Sequence, residues 1–381
     1  MGCEANQTCG GCLLRHLSLE EYRTQKLKSA YDVLEQNLGS LEGILDEPVF
    51  ISDGLRRRAT FGFKYQKHAV QIGFNENHSH QLVNIDHCLM LTPALNRILP
   101  VLRDFLRLFC AVQISQKLKG KKITLTSVKD GEVEILEAEN GLDIVLKADL
   151  GLTLEHRMLI ADLVAENTNI IRFSYRIGNQ TNTETIIEKA KPFILIEGVR
   201  VFVAPGDFLQ PSKAGEDALI KLVLEYAGDT KGLAADLFCG IGTFSYALAE
   251  LQGLKVVAAD INKALLAGLE QSVRTHMIHN IEIKEKNLFL YPFEADELKD
   301  FDLIVFDPPR AGAIKQVRCL GALATDDKPR KIIGVSCNLN TFARDAKILI
   351  EAGYVLKKLT VVDQFVYSAH SEVVALFTNQ K

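Results

Sequence analysis

The chain has 381 residues, 47% of them hydrophobic and 24% charged, with a formal net charge of −4. That length points to two or three domains with ample apolar material for a core, and the mild acidity excludes an indiscriminate nucleic-acid binder while permitting local basic patches. No apolar run is long enough to cross a bilayer, since Val101–Ile114 is broken by Arg103 and Arg107, and the N-terminus has neither the basic nor the apolar region of a signal peptide, so we expect a cytoplasmic protein with reduced cysteines and no membrane partner.

The first expected segment is 1–92. Cys3, Cys9 and Cys12 crowd its start. Ser18 with Glu21 fits a capping box that opens a helix over Ser18–Asn37. Arg56–Lys67 is basic with interleaved aromatics, so Phe61, Phe63 and Tyr65 beside Arg56–Arg58 are candidates for nucleic-acid contact or for the core. Ala69–Asn75 reads as a strand. The second segment is 93–205. Ala94–Cys110 reads as an amphipathic helix broken or kinked at Pro100. A second basic run, Lys117–Lys122, follows. Lys121–Val128, Glu132–Ala138 and Leu142–Ala148 read as strands, the first two joined as a hairpin across Lys129–Glu132. Ile194–Gln210 is extended, with a turn at Pro205-Gly206.

From 206 to 381 the pattern changes. A helix over Ser212–Gly228 precedes strands at Leu233–Phe238, Lys255–Asp260, Ile281–Asn287, Asp302–Asp307 and Lys331–Cys337, with helical runs between them. Such βα alternation predicts an α/β, Rossmann-like parallel sheet covered by helices, with its ligands at the carboxyl ends of the strands.

Chemistry gathers at those ends. "DLFCGIGTF" (Asp236–Phe244) follows a strand and opens a helix; Gly240 and Gly242 let backbone pass close to a ligand, and free N–H groups point at it. A second strand then ends in Asp260, placed to accept from a ribose diol. Together these predict a nucleoside-containing cofactor. In "DLIVFDPPRAG" (Asp302–Gly312) two prolines stiffen the backbone and present Asp307 and Arg310 as a fixed acceptor and donor. Cys337 closes the next strand, where a helix start at Asn338–Thr341 is expected to lower the thiol pKa and make a nucleophile. His370 and Glu372, just before the last strand, are candidate bases. Cys110, Cys239 and Cys319 read as inert core thiols.

Cys3, Cys9 and Cys12, spaced C-x5-C-x2-C, read as metal ligands. A fourth ligand is needed for either a zinc or an iron–sulfur site, and Cys88 is the nearest further cysteine.

The whole set resembles the bacterial RNA 5-methyluridine methyltransferases. The likeness is carried by "CGGCLLRHLSLEEYRTQK", "FLQPS", "DLFCGIGTF", "DPPRAG", "SCNLNTFARD" and "DQFVYSAHSEVV", in that order along the chain. The resemblance implies a C-terminal class I methyltransferase domain, preceded by a mixed α+β domain that binds RNA and carries an N-terminal [4Fe–4S] cluster on Cys3, Cys9, Cys12 and Cys88. It implies S-adenosyl-L-methionine as methyl donor, with Gln210, Phe238, Asp260, Asn287 and Asp307 contacting cofactor or target base. It implies Cys337 as nucleophile and Glu372 as base. The chain departs from the family at Pro211 and Ser212, where an Asn is usual two places after the Gln, at Asp260 in place of Glu, and at Val366 in place of Pro. We expect the chain to begin at the cluster, without the β-barrel RNA-binding domain that some relatives carry ahead of it, and the relatives that resemble this layout act on 23S ribosomal RNA.

The expected reaction adds Cys337 to uracil C6, so that C5 takes the methyl group, after which Glu372 removes the C5 proton. Asp307, Arg310 and Gln210 would hold the uracil edge and stabilise charge on its carbonyl, and the target base must leave its stack. The alternatives are the same chemistry on transfer RNA, an amino-group methyltransferase, and a non-catalytic cluster-bearing RNA-binding protein. No obligate protein partner is evident.

Overall fold

Ser18 opens the first helix as its capping box predicts: its side chain accepts from Glu21 N–H while the Glu21 carboxylate accepts from Ser18 N–H. The computed structural model describes residues 3, 5, 8–77, 79–117, 123–180 and 182–379; most of the basic run Lys117–Lys122 lies outside them. The chain gathers into two units. One comprises Met1–His16, Ser52–Ile194 and Val203–Ser212, the other Leu17–Ile51, Leu195–Phe202 and Lys213–Lys381.

Helix α1 (Leu19–Leu38) and the short strand β1 (Val49–Phe50) belong to the second unit. The chain then builds the first unit from β2 (Arg58–Gln66), β3 (Ala69–Asn75), β4 (Leu82–Asn84), α2 (Pro93–Ala111), β5 (Ile114–Lys117), β6 (Ile123–Thr126), β7 (Asp130–Ala138), β8 (Gly141–Ala148), α3 (Leu154–Glu166), β9 (Ile170–Ile177) and β10 (Thr183–Glu188). Seven strands form one sheet in the order β10-β9-β8-β7-β2-β3-β4. Because β2 pairs with β7, the expected segments 1–92 and 93–205 share this sheet. Strands β8 and β9 run parallel, joined by α3, and the buried pair Asp143–Arg172 sits at facing positions between them.

Two expectations are corrected here. Helix α2 continues through Pro100 without a break, because Leu95, Ile98, Leu99, Leu102, Phe105, Leu106 and Phe109 are all buried along one stripe, and that packing outweighs the lost N–H. The hairpin across Lys129–Glu132 does not form. Asp130 and Gly131 are inside β7 instead, and β6 pairs with β5. Gly131 lies so close to β8 that an added Cβ would stand 2.1 Å from the Lys147 carbonyl, which suits a strand crossing rather than a turn tip.

The chain passes through β11 (Phe193–Ile196) and β12 (Val199–Phe202) into the second unit: α4 (Lys213–Ala227), β13 (Gly232–Leu237), α5 (Thr243–Ala249), β14 (Leu254–Asp260), α6 (Lys263–Thr275), β15 (Ile281–Glu285), α7 (Ala295–Leu298), β16 (Leu303–Phe306), α8 (Ile314–Ala322), β17 (Lys331–Ser336), α9 (Leu339–Glu351), β18 (Tyr354–Asp363) and β19 (Glu372–Asn379). The sheet order is β1-β18-β19-β17-β16-β13-β14-β15, parallel except for β19. This is the α/β, Rossmann-like architecture expected. The order reverses between β13 and β16, which opens a crevice at their carboxyl ends. Expected in the N-terminal segment, α1 belongs to this unit because its apolar stripe needs a partner: Ala30 and Leu34 are buried in one core with Ala343, Ala346 and Leu349 of α9.

Candidate active site

Each predicted residue of the second unit falls at one edge of the sheet. Phe238 and Gly240 follow β13, Asp260 ends β14, Asn287 follows β15, Asp307 and Arg310 follow β16, Cys337 follows β17, and Glu372 begins β19. Since β19 is antiparallel, its start lies at the same edge as the ends of its neighbours.

The glycine loop is built from left-handed backbone: Phe238 has φ 61°, Gly240 φ 55° and Gly242 φ 91°. A Cβ at Gly240 would project into open space, whereas one at Gly242 would stand 2.6 Å from Leu269 Cδ1. Gly240 is therefore open to a close-approaching ligand, and Gly242 serves packing. Asp260 braces the loop, accepting Gly240 N–H at 3.0 Å and Asn262 N–H at 2.8 Å. Asn287 accepts Phe289 N–H at 3.1 Å and Leu290 N–H at 3.2 Å, and the Phe289 ring lies 5.3 Å from that of Phe238. Asp236, which sequence reasoning quoted but gave no role, is fully buried under this loop. It accepts Ser245 Oγ–H at 2.6 Å, and burial raises its carboxyl to about 7.

The Pro-Pro turn holds Arg310 through its backbone. The Arg310 carbonyl accepts from Asn338 Nδ2 at 3.0 Å and Thr341 Oγ1 at 3.1 Å. Its exposed guanidinium approaches His370 Nε2 at 3.4 Å. In the strand register the last pair is Ser336 with Val373, and Cys337 and Glu372 are the residues just beyond it. Burial, then the Glu372 and Asp307 carboxylates, push the Cys337 thiol up to about 11, with Arg310 pulling the other way. The sequence expectation of a lowered thiol is thereby corrected. A helix N-terminus does follow Cys337, but two carboxylates and burial outweigh it.

Glu372 is 2% exposed, and its carboxyl lies well above the ordinary carboxylate range because of burial and the nearby Asp307, offset in part by a hydrogen bond from Gln364 Nε2. Burial likewise raises Asp307. With burial and Asp307 both favouring its neutral form, Glu372 holds a proton more tightly than an ordinary carboxylate. The sequence reading missed Gln364, although it lies in the quoted "DQFVYSAHSEVV". His370, the other candidate base, is exposed, and its side chain is engaged with Arg310.

Gln210 lies in the first unit and is buried there, with Arg57 Nε donating to its carbonyl at 3.4 Å. Part of the Arg56–Arg58 run is thus committed to internal bonds: Arg58 Nη1 donates to the Leu209 carbonyl at 3.1 Å, and its guanidinium covers the Phe208 ring at 4.9 Å. Phe61 and Phe63 are core, 0% and 2% exposed, while Tyr65 is half-buried beneath the Lys129 ammonium. Cys110 and Cys239 are buried as expected, and Cys319 is half-buried against the core.

Cys3, Cys9, Cys12 and Cys88 are free thiols, each half-buried in the first unit. Among the described residues no group of three or more His, Cys, Asp or Glu stands at metal-binding spacing. The four are nonetheless neighbours: burial raises the Cys88 thiol to about 11, and Cys12, Cys3 and Cys9 add to the rise.

Residues 198–380 match the family model described as tRNA (Uracil-5-)-methyltransferase. An uncharacterized RNA methyltransferase of Agrobacterium fabrum is 34% identical over 97% of this chain and 82% of its own length. The 23S rRNA (uracil(1939)-C(5))-methyltransferase RlmD of Yersinia enterocolitica is 31% identical over 98% of this chain and 80% of its own. The chain belongs to the RNA uracil-5-methyltransferase family. In fold, it matches the solved Pyrococcus abyssi tRNA (uracil-54, C5)-methyltransferase in complex with S-adenosyl-L-homocysteine, with a TM-score of 0.71 at 21% identity over 97% of this chain and 86% of that one. No helix among the described residues is long and apolar enough to cross a membrane.

Proposed function

We propose that this protein methylates C5 of a uridine in 23S ribosomal RNA through a covalent adduct on Cys337. The observation that carries the reading is that Cys337 and Glu372 lie just beyond the last β17–β19 pair, with Glu372 acting on the thiol and Asp307 close enough to raise the pKa of both. A lone thiol needs no such carboxylate partners, whereas addition to a pyrimidine followed by proton removal needs both a nucleophile and a base.

The residues divide the work as follows. The Cys337 thiol gives up its proton to solvent, and its sulfur bonds to uracil C6, which moves an electron pair towards C5 and the C4 carbonyl. Arg310 supplies positive charge where that oxygen becomes negative. S-adenosyl-L-methionine, when bound, supplies an electrophilic methyl group for C5. Gly240, Asp260, Asn287 and Phe238 would hold it, and the open space in front of Gly240 suits a ligand pressed against backbone. Glu372 takes the C5 proton, the C6–S bond breaks, and the thiolate leaves. The neighbouring Asp307 makes Glu372 more basic than an ordinary carboxylate.

We further propose that Cys3, Cys9, Cys12 and Cys88 hold a [4Fe–4S] cluster. What supports this is four free thiols gathered closely enough that their neighbours help to raise Cys9, Cys12 and Cys88, a repulsion that a bound cation relieves. The cluster would order the first unit, which we read as the RNA-binding part, and would take no part in methyl transfer. Anaerobically purified protein should contain iron and acid-labile sulfide; stoichiometric zinc alone would overturn this.

Trapping on RNA that carries 5-fluorouridine tests the main reading, because fluorine in place of the C5 proton blocks release. Wild-type protein should give a stable protein–RNA species joined at Cys337, and Cys337→Ala should give none while still binding the cofactor. Methylation by Cys337→Ala at the wild-type rate would reject the mechanism. Mapping 5-methyluridine in cells lacking the protein decides the target: loss from 23S ribosomal RNA supports it, and loss from transfer RNA alone replaces it.

A further inference from the structure

Lys26 on α1 is 2% exposed. A lysine ammonium ordinarily stays in water, and burying one is costly unless its donors are used. Here it donates to three carbonyls of a single loop, those of Phe365 at 3.1 Å, Ser368 at 2.8 Å and His370 at 2.6 Å. It also pairs with Asp363 Oδ1 at 2.9 Å. One helical turn earlier, on the same face of α1, the Tyr22 hydroxyl donates to the other oxygen of Asp363 and accepts Tyr367 N–H at 2.8 Å. The two tyrosine rings pack at 4.4 Å, and Tyr367 itself is in left-handed backbone with φ 59°.

This loop joins β18 to β19 and ends at Glu372. Gln364, next to the Asp363 that Lys26 grips, donates to the Glu372 carboxylate. His370, whose carbonyl Lys26 also grips, meets Arg310. Both ends of the clamp therefore touch groups whose charges act on the Cys337 thiol. We infer that Lys26, assisted by Tyr22, is a positioning residue for the reaction: it fixes the 364–371 loop so that Glu372 and Arg310 keep their places beside Cys337. A purely structural lysine would only tie α1 to the sheet, and would have no reason to gather the one loop that leads into the base.

The inference rests on the assignment of Glu372 as base, and the experiment separates the two. Lys26→Met keeps the length of the side chain and removes the ammonium; Tyr22→Phe removes only the hydroxyl, and serves if Lys26→Met does not fold. Each is assayed with ordinary uridine RNA for turnover, for cofactor affinity and for the fraction of enzyme held as methylated protein–RNA adduct. A misplaced base slows release but not addition. The expected result is turnover lowered tenfold or more, cofactor affinity within twofold of wild type, and adduct raised tenfold or more. Turnover and adduct falling together, in step with loss of folded protein, would overturn the inference, as would wild-type release rates in both variants. Wild-type protein that forms no adduct with 5-fluorouridine RNA would remove the underlying assignment, and this inference with it.

Discussion

Ser336 ends β17 opposite Val373 of β19, so Cys337 and Glu372 are the next residues beyond that pair, and the thiol that bonds to the ring feels the charge of the carboxylate that must later take a proton. Their mutual effect is measurable. Glu372 and Asp307 raise the thiol, and Arg310 lowers it. The rate of alkylation of Cys337 by iodoacetamide, followed by peptide mass spectrometry across pH, should have its midpoint well above neutrality. In Glu372→Gln the midpoint should move to lower pH, and in Arg310→Ala to higher pH, because each loses one of these charges. Midpoints unmoved in both variants would show that these groups do not act on the thiol.

Glu372 makes a second prediction, in which sign matters. Its folded pKa is raised by burial and by Asp307. At acid pH both folded and unfolded chains keep the proton. As pH rises past the unfolded carboxylate value, about 4.3, the unfolded chain releases it first, so folding loses stability until the folded pKa is passed. Glu372→Gln has no such proton, so relative to wild type it should gain stability between about pH 5 and pH 8, by about 1.4 kcal/mol for each unit of the rise. Urea denaturation at the two pH values checks this. The same variant should lose about 10²- to 10⁴-fold in turnover and accumulate adduct; rapid turnover would exclude Glu372 as the base.

What the sequence revealed and what it withheld follow from range. Ser18 with Glu21, the glycines of "DLFCGIGTF" and the strand ends at Asp260, Asp307 and Cys337 are local signals, and the structure places all of them as local geometry requires. The partner of α1 was not legible, because an apolar stripe announces that a helix will be buried and not against what. Pro100 misled because its rule describes an isolated helix, while seven buried side chains decide the outcome in α2. The thiol of Cys337 misled for a similar reason: the helix that follows it is visible in sequence, whereas the opposing carboxylates are Asp307, 30 residues before it, and Glu372, 35 residues after it. The parts played by Gln364 and Lys26 exist only in three dimensions.

The two loop glycines should respond differently to alanine. At Gly242, φ 91° and a Cβ 2.6 Å from Leu269 demand rearrangement, so Gly242→Ala should cost about 1–3 kcal/mol of stability. Gly240 has φ 55°, within the left-handed well, and open space ahead of it, so Gly240→Ala should cost about 1–2 kcal/mol in backbone preference. It should weaken S-adenosyl-L-methionine binding more than Gly242→Ala does, when each is measured by calorimetry on folded protein. Equal cofactor affinities in the two variants would mean that the open face of Gly240 is not where the ligand lies.

Away from the site, Arg172 and Asp143 test what holds the first unit together. Arg172 Nε and Nη2 donate to the two Asp143 oxygens at 2.8 and 2.7 Å, on adjacent parallel strands, with both side chains under 5% exposed. Burial raises the Asp143 carboxyl, and Arg172 draws it back. Asp143→Ala leaves a buried guanidinium with Glu188 at 3.6 Å as an ion-pair partner, an incomplete substitute on a more exposed side chain. The expected loss is about 3–5 kcal/mol, the range for breaking a buried pair from one side. Replacing both residues with apolar ones of similar volume should recover much of that loss, since no unpaired charge remains. Urea denaturation of the single and double variants measures both numbers. A single variant with wild-type stability would show that the pair contributes nothing to the seven-stranded sheet.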